Sequence, residues 1–167
     1  MDDILAISMK PTEILKIMEG KTVKYKNGKI APPEMYLGEK LKRKMMNEHM
    51  CWTITSYDYL IAAVQTVKDA VKNKRWKLPE TAKTSITQLC IPELDGAEEL
   101  VPNGIQFFQD MIEILRWATE LESIYIIHDV SLLSQYHASP REGHMGYILH
   151  IFAFLDIKPR LTLYMNP

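Results

Sequence analysis

The apolar positions change period along the chain. Ile4 to Ser8 is a short apolar run between Asp2-Asp3 and Met9-Lys10-Pro11, which predicts a strand. Pro11, Thr12 and Glu13 then open a short helix, with Thr12 as its cap and Ile14, Leu15, Ile17 and Met18 as its apolar face. Gly20 ends it. Lys21–Tyr25 and Lys29–Ala31 flank Asn27-Gly28, a strong hairpin signal. Met35 to Met45 reads as one further strand, Asn47-Glu48-His49 as a turn, and Met50 to Thr55 as the next strand. Together these segments predict a small antiparallel meander.

From Ser56 the period becomes helical. Tyr57, Leu60, Ile61, Val64, Val67, Lys68 and Val71 recur every three or four residues. Asp58 near the start and Lys72, Lys74 and Arg75 near the end complement the helix dipole. Residues 78–103 carry prolines and little periodicity, which reads as a linker of roughly 25 residues and a subdomain boundary. Ile105 to Glu122 predicts a helix with Phe108, Met111, Ile112, Leu115 and Ala118 in one stripe. A second helix is expected from about Ile124 to Gln135. Ser139-Pro140-Arg141-Glu142 has the form of a start signal, with a serine cap, a proline at the first helical position and a glutamate at the third. The helix after it should bury Met145, Ile148, Leu149, Phe152 and Leu155, and Arg160 to Met165 reads as a terminal strand. The fold class is therefore α+β, divided as residues 1–55, 56–77, 78–103 and 104–167.

Composition is that of an ordinary globular chain. Of 167 residues, 47% are apolar and 25% charged, so a core can form. The net charge is −1, so a polyanion would have to be met by local clusters. Cys51 and Cys90 stand in no Cys-x-x-Cys context, and reduced intracellular thiols are expected. The most apolar run, Tyr147 to Leu155, is far shorter than the roughly 20 residues of a membrane span. The N-terminus has no signal pattern, which places the protein in the cytoplasm or nucleus. The direct opening of Met1-Asp2-Asp3 into an apolar strand is what a truncated domain would show.

Three stretches carry a resemblance. Met1-Asp2-Asp3-Ile4-Leu5 is similar to the tail of the Tyr-x-Asp-Asp motif of reverse transcriptases. Tyr36-Leu37-Gly38, followed by Cys51-Trp52-Thr53-Ile54-Thr55-Ser56 and Tyr59, is similar to a Tyr/Phe-Leu-Gly strand and the entry to the helix beyond it. The third stretch is the most specific. It runs from Phe108-Gln109-Asp110-Met111-Ile112-Glu113-Ile114-Leu115-Arg116-Trp117 through Val130-Ser131-Leu132-Leu133-Ser134-Gln135-Tyr136 to Ser139-Pro140-Arg141-Glu142-Gly143-His144 and His150-Ile151-Phe152-Ala153-Phe154-Leu155. In order and spacing, over nearly all of the chain, this resembles the C-terminal polymerase region of copia-type retrotransposon polyproteins. Ser123 and Tyr125 stand where that family has an arginine and an aspartate, and Ile114 stands where it commonly has a small residue. These departures are those expected of a decayed copy.

The resemblance implies an RNA-directed DNA polymerase fragment. Residues 1–55 would be a palm remnant and meander, 56–77 a thumb-like helix, 78–103 a linker, and 104–167 a helical connection ending at the RNase H boundary. Asp2 and Asp3 would be catalytic and would help to hold Mg²⁺, whose two ions serve nucleotidyl transfer. The further aspartate of the family's site and its nucleotide-binding elements have no counterpart in these 167 residues. The α-ammonium of Met1, with an ordinary pKa of about 8, would also compete with a cation there. The chain by itself is therefore expected to be catalytically inactive. Lys40, Lys42, Arg43 and Lys44 form one basic cluster, and Lys72, Lys74 and Arg75, with Lys77 beyond, form another. In the parent enzyme such elements resemble the primer-grip and thumb regions that hold an RNA/DNA duplex; a solvated charged face explains them as well. Trp52 and Trp76 could stack on bases, although a place in the core suits them better.

Other chemistry is weaker. The five histidines do not form a metal set: His144 and His150 are six apart. His144 is expected to hydrogen-bond near its helix start, and His150 to be partly buried. Ser134, His137 and Asp129 could be drawn as a triad, but nothing around them resembles a nucleophile elbow. The alternative to a polymerase remnant is a domesticated module that binds nucleic acid or protein without catalysis, and an unrelated small enzyme ranks last.

Overall fold

A computed structural model describes residues 10–20, 34–36, 39–46, 48–86, 91–121, 123–158 and 163–165. The chain is α+β and divides into two compact units. Residues 1–55 and 162–167 form the first, and 56–161 the second. The predicted strand at Ile4–Ser8 and the Asn27-Gly28 hairpin lie outside the described residues.

In the first unit, α1 spans Pro11–Gly20. It starts on its proline, whose missing N–H costs nothing at that position. Thr12 is therefore inside the helix and not its cap. Ile14 and Ile17 on the expected apolar face are exposed at 41% and 66%. The run from Met35 onward is two strands, not one: β1 (Met35–Tyr36) and β2 (Glu39–Met46) pair antiparallel, with Met35 opposite Lys40. A short alternating pattern does not disclose a reversal within it, because both halves keep the same period. β2 then pairs with β3 (His49–Thr55), Met46 opposite His49. Glu48 in that turn has φ 68°, a left-handed conformation that costs a residue with a Cβ. β4 (Leu163–Met165) pairs antiparallel with β3, giving the order β1-β2-β3-β4. The terminal strand thus completes the sheet of the first unit, although the sequence grouped it with the helices. Leu41 and Ile54, opposite one another, are both buried.

The second unit is helical. α2 (Tyr57–Val71), α3 (Pro102–Leu121), α4 (Ile127–Ser134) and α5 (Glu142–Ile157) share one core. α3 contributes the predicted stripe of Phe108, Met111, Ile112, Leu115 and Ala118, all buried. Its start lies at Pro102, ahead of the first apolar position that marked it in the sequence. The predicted second helix is a 3-10 turn, Ile124–Ile126, followed by α4. α5 buries Met145, Ile148, Leu149, Phe152 and Leu155 as expected, and also Ile151, Ala153 and Phe154, so the turn from Ile151 to Leu155 is buried on every side, between half-buried His150 and exposed Asp156. Such a helix must be enclosed. α2 packs into this same core through Leu60, Val64, Val67 and Val71.

Among the described residues of the segment read as a linker, 78–103, Ala82, Pro92 and Leu100 are buried, and Pro92–Leu94 forms a 3-10 turn. Residues 91–100 are held by backbone hydrogen bonds, which leave no side-chain periodicity.

Ser123 is fully buried, and among the described residues its Oγ has no hydrogen-bond partner. Burying an unsatisfied hydroxyl costs about 1–3 kcal/mol. Ser123→Ala is expected to raise stability by about 1 kcal/mol, read as the midpoint of urea unfolding at unchanged slope.

Candidate nucleic-acid interface and the polar junction at the start of α5

The predicted catalytic and metal-binding residues, Asp2 and Asp3, lie outside the described residues. Among the described residues no group of three or more His, Cys, Asp or Glu side chains could hold a metal ion. No step through Mg²⁺ can be built from the groups that are placed.

The first basic cluster lies on β2. Lys40, Lys42, Arg43 and Lys44 are all exposed. Strand alternation puts Lys40, Lys42 and Lys44 on one face, and Arg43 on the other. Arg43 stands opposite Trp52 on β3, and its guanidinium lies 4.7 Å from the ring centroid. Trp52 is half-buried beneath it. The β2 backbone is held from the side by Thr53, whose hydroxyl donates to the Lys42 carbonyl at 3.1 Å. This face can meet phosphate oxygens with alternate side chains along an extended backbone.

The second cluster follows α2, and its charges are used within the fold. Lys72 pairs with Asp69 at 2.6 Å. The hydrogen bond from Lys72, with one from Gln65, holds the Asp69 carboxyl below its ordinary range. Lys74 lies 4.6 Å from the Phe107 ring centroid. Arg75 pairs with Glu142 in the first turn of α5 and stacks 5.3 Å over Trp76. Trp76 donates to the other Glu142 oxygen at 2.8 Å and stacks on Phe107 at 5.9 Å. Trp76 is thus a packing residue, as the sequence favoured. The two clusters belong to different units.

The triad drawn from the sequence is not assembled. The Ser134 hydroxyl donates to the Val130 carbonyl at 2.7 Å, and Asp129 meets His128 at 3.2 Å. His150 is half-buried and bonds the Thr84 carbonyl at 3.0 Å, within the expectation for it.

The densest buried polar group lies at the start of α5. This helix begins at Glu142, with Arg141 as its extended cap residue. Ser139-Pro140 is therefore not the cap the sequence indicated. Pro140 is buried, and its carbonyl accepts from Leu100 N at 3.0 Å. The first N–H groups of a helix have no partners in the helix itself. Here the partner of the His144 N–H is Asp95, whose Oδ2 accepts at 3.1 Å from 49 residues away. Asp95 Oδ1 also closes its own turn on Ala97 N at 2.9 Å. His144 is 2% exposed and uses both ring nitrogens. Nδ1 accepts from Arg141 N at 3.1 Å, so Nε2 carries the proton and donates to the Pro92 carbonyl at 3.0 Å. Tyr136 lies against the ring at 4.1 Å between centroids. His144 does bond near its helix start, as expected, and its tautomer follows from these partners.

Gly143 is required by this arrangement. A Cβ there would lie 2.6 Å from the Asp95 Cγ, closer than real contacts allow. Sequence reasoning missed Asp95 and Gly143, and placed Glu142 at the helix start without its partners Arg75 and Trp76. A carboxylate that caps a distant helix leaves no local pattern; the only signal was the Asp95-Gly96 pair, which marks a turn.

No protein-family model, no curated protein and no solved structure matches this chain. Among the described residues no helix is long and apolar enough to cross a membrane.

The Asp95–Gly143 contact predicts a reversal of sign. Gly143→Ala alone should destabilise by about 1–3 kcal/mol, because Asp95 must leave both its bonds. In an Asp95→Ala background the same change should be neutral or stabilise by up to about 1 kcal/mol, since alanine is the better helix residue. Urea unfolding of the four proteins in this cycle measures the coupling.

Proposed function

We propose that this chain is the C-terminal part of the polymerase region of a copia-type RNA-directed DNA polymerase, without nucleotidyl transfer of its own. The observation that carries the reading is the ordered stretch from Phe108 to Leu155, with the Asp2-Asp3 and Tyr36-Leu37-Gly38 stretches at consistent distances before it. By that reading Asp2 and Asp3 belong to a Mg²⁺ site, and a site of this kind needs a third carboxylate and a platform to position the substrate. By the same reading Lys40, Lys42, Arg43, Lys44, Lys72, Lys74 and Arg75 would help to hold the RNA/DNA duplex backbone.

A second reading is a non-catalytic nucleic-acid-binding module. The exposed cations Lys40, Lys42, Arg43 and Lys44 on one short strand favour it. Phosphate contacts of this kind are independent of sequence and weaken with salt. Lys72, Lys74 and Arg75 are engaged with Asp69, Phe107 and Glu142 within the fold.

The two readings part in experiment. Primer extension on an RNA template with Mg²⁺ should give no product from this chain alone. On the first reading, coding sequence joined upstream of this chain encodes the other polymerase elements; unrelated sequence there would contradict it. Duplex binding should weaken with salt, and Lys42→Glu/Arg43→Glu/Lys44→Glu should lower the slope of log K against log salt by about 2–3, near 0.9 for each lost phosphate contact. A slope unchanged by the triple substitution removes β2 from the interface.

A further inference from the structure

We infer that residues 91–100 form a strap that opens and closes as one cooperative unit over the buried His144 imidazole. Every polar tie from the strap to the helical core described above ends on residues 140–144. The Pro92 carbonyl accepts from His144 Nε2 at 3.0 Å, and Asp95 Oδ2 from His144 N at 3.1 Å. The Ala97 carbonyl accepts from the Arg141 guanidinium at 3.0 Å, and the Glu98 carbonyl from Glu142 N at 3.0 Å. Leu100 N donates to the Pro140 carbonyl at 3.0 Å. Glu99 adds an ion pair to Arg141 at 3.6 Å.

The apolar hold is slight by comparison. Pro92 and Leu100, near the two ends, are buried, whereas Leu94 between them is 76% exposed and Glu93, Gly96, Glu98 and Glu99 are exposed. A segment with many polar ties and little apolar burial opens below the free energy of global unfolding. Asp95 makes the opening cooperative. One of its oxygens shapes the strap's own turn at Ala97, and the other caps α5 at His144. Gly143 lies so close to this carboxylate that little room remains for it to shift sideways. Loss of the carboxylate therefore loosens the strap and the helix start together. Opening exposes His144, Arg141 and the first N–H groups of α5.

Native-state amide exchange by NMR tests this on the full chain. Leu100 and Glu142 are the informative amides, because neither bonds to Asp95. In the parent both are expected to share one opening factor and to be protected at least about tenfold less than Met111, Leu115 and Ile148, and in Asp95→Ala both accelerate by one common factor. Unchanged protection at Leu100 and Glu142 would show that the strap opens piecemeal. Protection at Leu100 and Glu142 equal to that at Leu115 in the parent would show that no separable unit exists. Either result overturns the inference. Should Asp95→Ala not fold, Arg141→Lys cuts the tie to the Ala97 carbonyl and leaves the carboxylate in place. The same common acceleration is then expected at Leu100, Glu142 and His144, with the same two outcomes against it.

Discussion

Enclosure of α5 is the constraint on which the second unit depends. Ile151 to Leu155 are consecutive buried residues that span more than one turn, which leaves this part of the helix no face for water. Walls are needed on every side, and α2, α3 and α4 supply them from Leu60, Phe108, Leu115, Val130 and Leu133, among others. An enclosed helix brings its polar ends toward the core. Its first N–H groups then cannot rely on solvent, and an unpaired one is expensive. Asp95 and the His144 ring meet that need, and the fit of Asp95 makes glycine necessary at 143. Core packing and the polar junction are thus two consequences of one apolar helix.

The parts of this arrangement that repeat along the chain were legible in the sequence. The α3 stripe and the apolar face of α5 follow from a period of 3.6, and the packing positions were read correctly from Phe108 to Ala118. Boundaries set by distant partners were not legible. Ser139-Pro140-Arg141-Glu142 satisfies the pattern of a helix start, yet Pro140 is engaged by Leu100, and the helix begins at Glu142. Residues 91–100 lack periodicity because much of their hold on the fold comes through carbonyls and N–H groups, which carry no side-chain signature. Met35 to Met45 hid a reversal for a related reason, since strand pairing is a matter of register between segments.

The same distinction separates the two basic clusters. In sequence they were equivalent runs of lysine and arginine. In space, Arg75 helps to fix the start of α5 through Glu142, and Lys74 lies against Phe107, so these residues belong to the packing of the second unit. On β2 the exposed lysines stand along an extended strand, and Arg43 rests on the ring of Trp52. A charge that completes a fold is a poor choice for an external anion, because binding would have to replace contacts already made.

The most direct test of the central claim is the cost of removing one wall-to-helix contact. Phe152 is fully buried in α5, and Phe152→Ala should cost about 3–5 kcal/mol in urea unfolding, the range for an aromatic side chain lost from a closed core. A loss below about 1 kcal/mol would mean that water or mobile side chains already occupy that space, and that α5 is not enclosed.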